Sequence, residues 1–311
     1  MSQQLRFSQL FFPVKLTTLI SYGIAVALAT STLNPAIAAD PFRNTQQRNI
    51  GDKTEAAFNA IFVQGDYQSG NSFLEQALTA EPNEPLAYAM RASLAYTNKD
   101  FNGLNTYSKK TLEIAEKLIS SDPLRGNLYA AVGHFLGGAV ILSRDGTVNG
   151  APEALSKLRK VYEHLDKAEA VAPKDPELNL LKGYMDLMLA VNLPFADPAQ
   201  AIQRLEKNAA PQYLVDRGIA LAYRDLKQYS QALTYADKAL KATSNNPEIY
   251  YLKAQIMRGK AKKEKNPQMM REAVLQFDKA LTKKAQLPSD LVKQIERERR
   301  NAESSIKDIG K

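Results

Sequence analysis

The stretch Tyr213 to Glu248 (YLVDRGIALAYRDLKQYSQALTYADKALKATSNNPE) constrains the fold more than any other part of the chain. Apolar residues recur in it at helical spacing over two runs, with a short polar turn between them. Neither run can bury its apolar face alone, so a chain built of such units must stack them side by side. Weaker copies of the stretch occur along most of the 311 residues.

In chain order, a first unit runs from Gly51 to Asn83, and GDYQSGNSFLEQALTAEP forms its second helix. A second begins at Pro85, with Tyr88 and Ala92 in its first helix and Phe101 opening its second. Its closing proline, Pro123, comes seven residues late, close to two helical turns, so the extra length extends the helix without rotating its buried face. The third unit carries Tyr129, Val132, Gly133 and Leu136, a polar loop at Ser143–Gly150, then Val161, Leu165 and Ala168. Leu181 and Gly183 mark the fourth, whose connecting loop spans Asn192–Pro198. The opening stretch is the fifth. The sixth has Tyr250, Ala254 and Met257, a basic insertion at Gly259–Asn266, then Ala273, Phe277, Ala280 and Leu281. Pro82, Pro123 and Pro173 each stand three residues before a helix start. Ser289–Ile309 is polar with sparse apolar positions and reads as a capping helix on an open end.

These residues resemble the tetratricopeptide repeat, a helix–turn–helix unit of 34 residues. The resemblance covers residues 51–288, with residues 289–311 as capping helix and tail. It implies an all-α fold, a right-handed superhelix (α-solenoid) of about six helix pairs, several with insertions, and a concave groove that binds protein or peptide. Carrying the family's groove positions over implies Asn59 and Phe62 in the first unit, Ala89, Ser93 and Tyr96 in the second, and His134 in the third. Leu180, Tyr184, Leu187 and Met188 follow in the fourth, Arg217, Leu221 and Arg224 in the fifth, and Tyr251, Gln255 and Arg258 in the sixth. Such a groove is apolar and aromatic over four units and cationic over the last two. It suits a peptide with an apolar part and an acidic part, unless the arginines pair locally with Asp216 or Asp225. One subclass of the family clamps a C-terminal carboxylate, but Glu55 stands at a clamp position here and would repel one.

The first forty residues read as an export signal. Arg6 and Lys15 precede the apolar run Leu16–Ala29, and Ala36-Ile37-Ala38 fits a cleavage site before Ala39. The run is shorter than the ~20 residues of a spanning helix. Residues 1–38 are therefore expected to be removed and residues 39–50 to form a flexible lead-in. The destination is the periplasm, or the thylakoid lumen in a photosynthetic source. Cysteine is absent, which excludes a disulfide framework, a thiolate metal site and a lipoprotein anchor.

No phosphate loop, GxSxG or HExxH pattern is present, and His134 and His164 lack a third ligand. No catalytic, cofactor or metal site is expected, and the chain is read as a binding scaffold or adaptor. Of the formal charge of +8, most lies late: Lys253–Arg300 holds 14 Lys/Arg against 6 Asp/Glu. That region suits an acidic partner or an anionic membrane surface, and export argues against nucleic acid. Attachment to an anionic surface through this region is the alternative function.

Overall fold

A computed structural model describes residues 40–192, 198–243 and 246–309. The expected leader with its Ala38–Ala39 junction, most of the fourth unit's connecting loop, and Ser244 lie outside the described residues. Among those residues are thirteen α-helices and no strand.

The helices pack as consecutive pairs that follow the six units. α1 (Asp52–Asn59, continued by a π turn over Ala60–Gln64) pairs with α2 (Tyr67–Ala80), and α3 (Pro85–Thr97) with α4 (Phe101–Leu118). α5 (Pro123–Asn149) pairs with α6 (Ala151–Val171), and α7 (Pro176–Asn192) with α8 (Pro198–Asn208). α9 (Gln212–Asp225) with α10 (Tyr229–Ala242) and α11 (Pro247–Glu264) with α12 (Pro267–Leu281) complete the set. α13 (Ser289–Ile309) lies against α12 and α11, where the first helix of a seventh pair would sit.

Local chemistry sets the helix starts. The side chains of Asp66, Glu84, Asp100, Asp122, Asn246 and Asn266 each accept a hydrogen bond from a backbone N–H of the turn that follows. Pro85, Pro123, Pro247 and Pro267 stand in the first helical turn, where a missing N–H costs nothing. Pro123 therefore opens α5 rather than closing the second unit, whereas Pro82 and Pro173 lie in turns as expected.

The late end of the second unit lengthens α4 to 18 residues. Two segments expected as a loop and an insertion are instead helical. Ser143–Asn149 continues α5 across a break at Gly146, whose φ of 75° suits glycine, and most of Gly259–Asn266 extends α11 to Glu264. Neither segment contains proline, and the second is rich in Ala, Lys and Glu, good helix formers. α5 is long and apolar enough to span a membrane, yet 72% of the relevant stretch is buried inside the fold.

Two contacts could not be placed by counting repeats. The first and sixth pairs meet: the Tyr67 hydroxyl donates to Glu248 Oε1 at 2.8 Å and Asn246 Nδ2 donates to the Val63 carbonyl at 3.2 Å. Gly65, at φ 66°, makes room for Pro247, since a Cβ there would lie 2.7 Å from the proline ring. The second contact is the lead-in. Residues 40–50 are non-helical as expected, but they are not loose. Asp40, Phe42 and Ile50 are buried, with Phe42 edge-on to Phe58 at 5.2 Å between ring centroids.

Candidate binding face

The first helices of the pairs form one row, and the lead-in crosses that row. Arg43 reaches α7, where it pairs with Asp175 at 2.5 Å and Glu177 at 3.2 Å, and it also holds Asp40 at 2.8 Å. Arg48 pairs with Asp122 at the start of α5. The network continues along the row: the Tyr129 hydroxyl donates to Glu177, and Arg125 donates to Glu84 while its guanidinium lies over the Tyr129 ring. Burial drives the Glu84 carboxyl above its ordinary range against the opposing pull of Arg125. Burial likewise raises the Tyr129 hydroxyl, and the neighbouring Glu177 charge adds to the effect. The row formed by α3, α5 and α7 thus shows carboxylates, and the lead-in supplies arginines to meet them.

Beside this network lies a partly open cavity of about 200 Å³. Phe42 of the lead-in forms one wall. Phe58 and Phe62 from the first pair, Met90 and Ser93 from α3, Phe135 from α5, Leu180, Tyr184 and Met188 from α7, and Arg217 from α9 form others. Of the residues that the repeat register implied, Phe62, Ala89, Ser93, Leu180, Tyr184, Met188 and Arg217 line this cavity. The Tyr184 hydroxyl donates to the Leu214 carbonyl, and burial pushes its pKa up to about 12. Arg217 is buried and hydrogen-bonded to Tyr184; loss of solvent lowers its pKa.

The other implied residues fall elsewhere. Leu187 is core, Leu221 belongs to a small cluster with Ala232 and Ile256, and Asn59 and Tyr96 are half-buried away from the cavity walls. His134 is buried, 5.4 Å from His164 ring to ring, and burial lowers its pKa to about 4, with Lys157 adding to the effect. Among the described residues no cluster of three or more His, Asp or Glu is arranged to hold a metal ion.

The cationic end is engaged by the chain itself. Glu298 of α13 pairs with Arg258 at 2.9 Å and accepts from Gln255 at 3.1 Å and from Tyr251 at 3.0 Å. Arg224 donates to Gln255 at 2.7 Å and pairs with Asp225, the local partner weighed from sequence. Burial alone would raise the Glu298 carboxyl; the Arg258 charge and the hydrogen bonds bring it below its ordinary value. At Arg258 the acid comes from α13 of the chain itself. Five of the other basic residues in Lys253–Arg300 are divided: Lys262, Lys263 and Lys265 lie at one end of the α11–α12 pair and Lys283 and Lys284 at the other. The length of α12, about 22 Å, separates them.

Repeat register alone did not find Phe42, Arg43, Phe135, Glu177 or Glu298. A signal was present for two of them: Phe42-Arg43 is the one aromatic–basic pair in an otherwise polar lead-in. No protein-family model and no curated protein matches the chain.

Proposed function

We propose that this chain is a tetratricopeptide-type interaction module, exported and acting as an adaptor, scaffold or assembly factor, whose row of first helices forms a concave face that holds a non-helical polypeptide segment. One observation carries the reading. Residues 40–50 already lie on that face, with Phe42 at the cavity and Arg43 on Asp175 and Glu177. The face therefore suits a peptide with an aromatic residue next to a basic one. Stacked helix pairs in general use such extended surfaces for binding.

A tethered segment competes at an effective concentration in the millimolar range, so a partner peptide binds by exchange with the lead-in. The test is a labelled peptide of residues 40–50, DPFRNTQQRNI, titrated by fluorescence anisotropy. A Phe42→Ala/Arg43→Ala variant should bind it at least tenfold more tightly than the wild type. A peptide with alanine at both positions should not bind. Equal, weak binding of both peptides to both proteins would remove the proposal.

A further inference from the structure

The cavity remains in place with the lead-in docked, so peptide exchange does not account for it. Its volume of about 200 Å³ exceeds that of the engineered ~150 Å³ apolar cavity that takes up benzene. Its chemistry is one-sided. The few polar groups on its walls are already engaged by the protein: Ser93 donates to the Ala89 carbonyl, Tyr129 to Glu177 and Tyr184 to the Leu214 carbonyl, and Glu177 holds Arg43. Water needs two to four polar partners to settle, and these walls offer few. The rest is hydrocarbon and thioether; Met90, Met185 and Met188 are side chains that reshape around an apolar guest.

We propose that this cavity is a binding site for one hydrocarbon chain, the end of an acyl or prenyl group or a simple alkyl ligand. The two charged side chains on the walls are already engaged, Glu177 by Arg43 and Arg217 by Tyr184, so a charged head group finds no partner inside and stays outside. The inference does not depend on the peptide reading, since it applies with residues 40–50 in place.

The experiment uses the neutral dye N-phenyl-1-naphthylamine with the purified, detergent-free protein. Dye fluorescence should rise on binding and fall on addition of 1-octanol, with 1-butanol at least tenfold weaker as a competitor. Ala131 and Ala89 line the cavity, so Ala131→Leu and Ala89→Leu each add three carbons at its wall and should weaken dye and octanol binding at least tenfold. Met185→Ala should move the preferred alcohol to a longer chain, which a merely damaged fold would not do. A second arm uses dioctanoyl-phosphatidylcholine below its micelle concentration. Displacement by both competitors assigns lipid tails, and displacement by octanol alone assigns a free chain; either supports the site. No fluorescence gain with the wild type, or equal binding by wild type and both leucine variants, would overturn it. Loss of the lead-in peptide's binding without loss of dye binding would count against the peptide reading alone.

Discussion

Glu248 offers the sharpest test of how the two ends of the array are held together. Its carboxyl is buried, accepts from the Tyr67 hydroxyl, and has no hydrogen-bond partner at Oε2 among the described residues. Burial holds its pKa well above the ordinary carboxylate range. In the unfolded chain the same group ionises near pH 4.3. The sign follows directly. Below that pH both states carry the proton and Glu248 contributes no pH dependence. Above it the unfolded chain gains by ionising while the folded chain stays neutral, so stability falls as pH rises toward the folded pKa. The slope is about 1.4 kcal/mol per pH unit. Glu248→Gln retains an acceptor for Tyr67 and cannot ionise. Any packing difference shifts its stability by a constant, but the slope disappears. Urea unfolding at pH 5 and pH 6 should therefore show the variant gaining about 1.4 kcal/mol on the wild type over that unit. At a urea slope of about 3 kcal/mol per molar, this moves the midpoint difference by about 0.5 M. A midpoint difference that stays constant between the two pH values would refute the reasoning.

Two further expectations concern other buried groups. His134 titrates in the opposite sense: with its folded pKa near 4 and an unfolded value near 6.5, stability is lost as pH falls through that window. The full loss is about 3 kcal/mol, so the stability of His134→Phe relative to the wild type should rise by about that much between pH 6.5 and 4 in the same urea series, and a constant difference would count against it. Because His134 and Glu248 act with opposite sign between about pH 4.3 and 6.5, the wild-type curve hides both, and only the single variants expose them. Glu298→Ala removes the acid shared by Arg258, Gln255 and Tyr251 and strips a charge from a buried pair, a change that costs about 3–5 kcal/mol. Hydrogen exchange should locate the loss in α13 and α11, leaving α5 and α6 protected; uniform loss of protection would refute that assignment.

Much of the helix plan could be read from the chain because its causes are local. Apolar spacing, acidic or amide caps and first-turn prolines act within a few residues, and they mark the six pairs from Gly51 onward. The errors were local too. Pro123 ends nothing, because a proline in the first helical turn and one just past a helix end look alike in sequence and differ only in which side carries the cap. Here Asp122 caps the helix that follows. Ser143–Gly150 looked like a loop because polar residues and glycines weaken a helix, but one break at Gly146 absorbed the irregularity and the helix resumed.

The site was harder to read, for a reason that lies in repeats themselves. Register tells which side chains face the row of first helices, and it placed Phe62, Tyr184 and Arg217 on one cavity. It carries no information about what lies over that row, since register relates each unit only to its neighbours in the chain. The two segments that decide the matter are the non-repeating ends. Arg43 makes a contact 132 residues away in sequence and Glu298 one 43 residues away. Both bring the charge that the row lacks, an arginine to Asp175 and Glu177 and a glutamate to Arg258. Reading the row by itself left open whether its arginines pair locally; with the ends added, Arg224 meets Asp225, Arg258 meets Glu298, and Asp175 and Glu177 hold the only segment seen crossing the face among the described residues. On the proposed reading, a partner that exchanges with that segment carries positive charge beside an aromatic ring, which is the property the peptide titration measures.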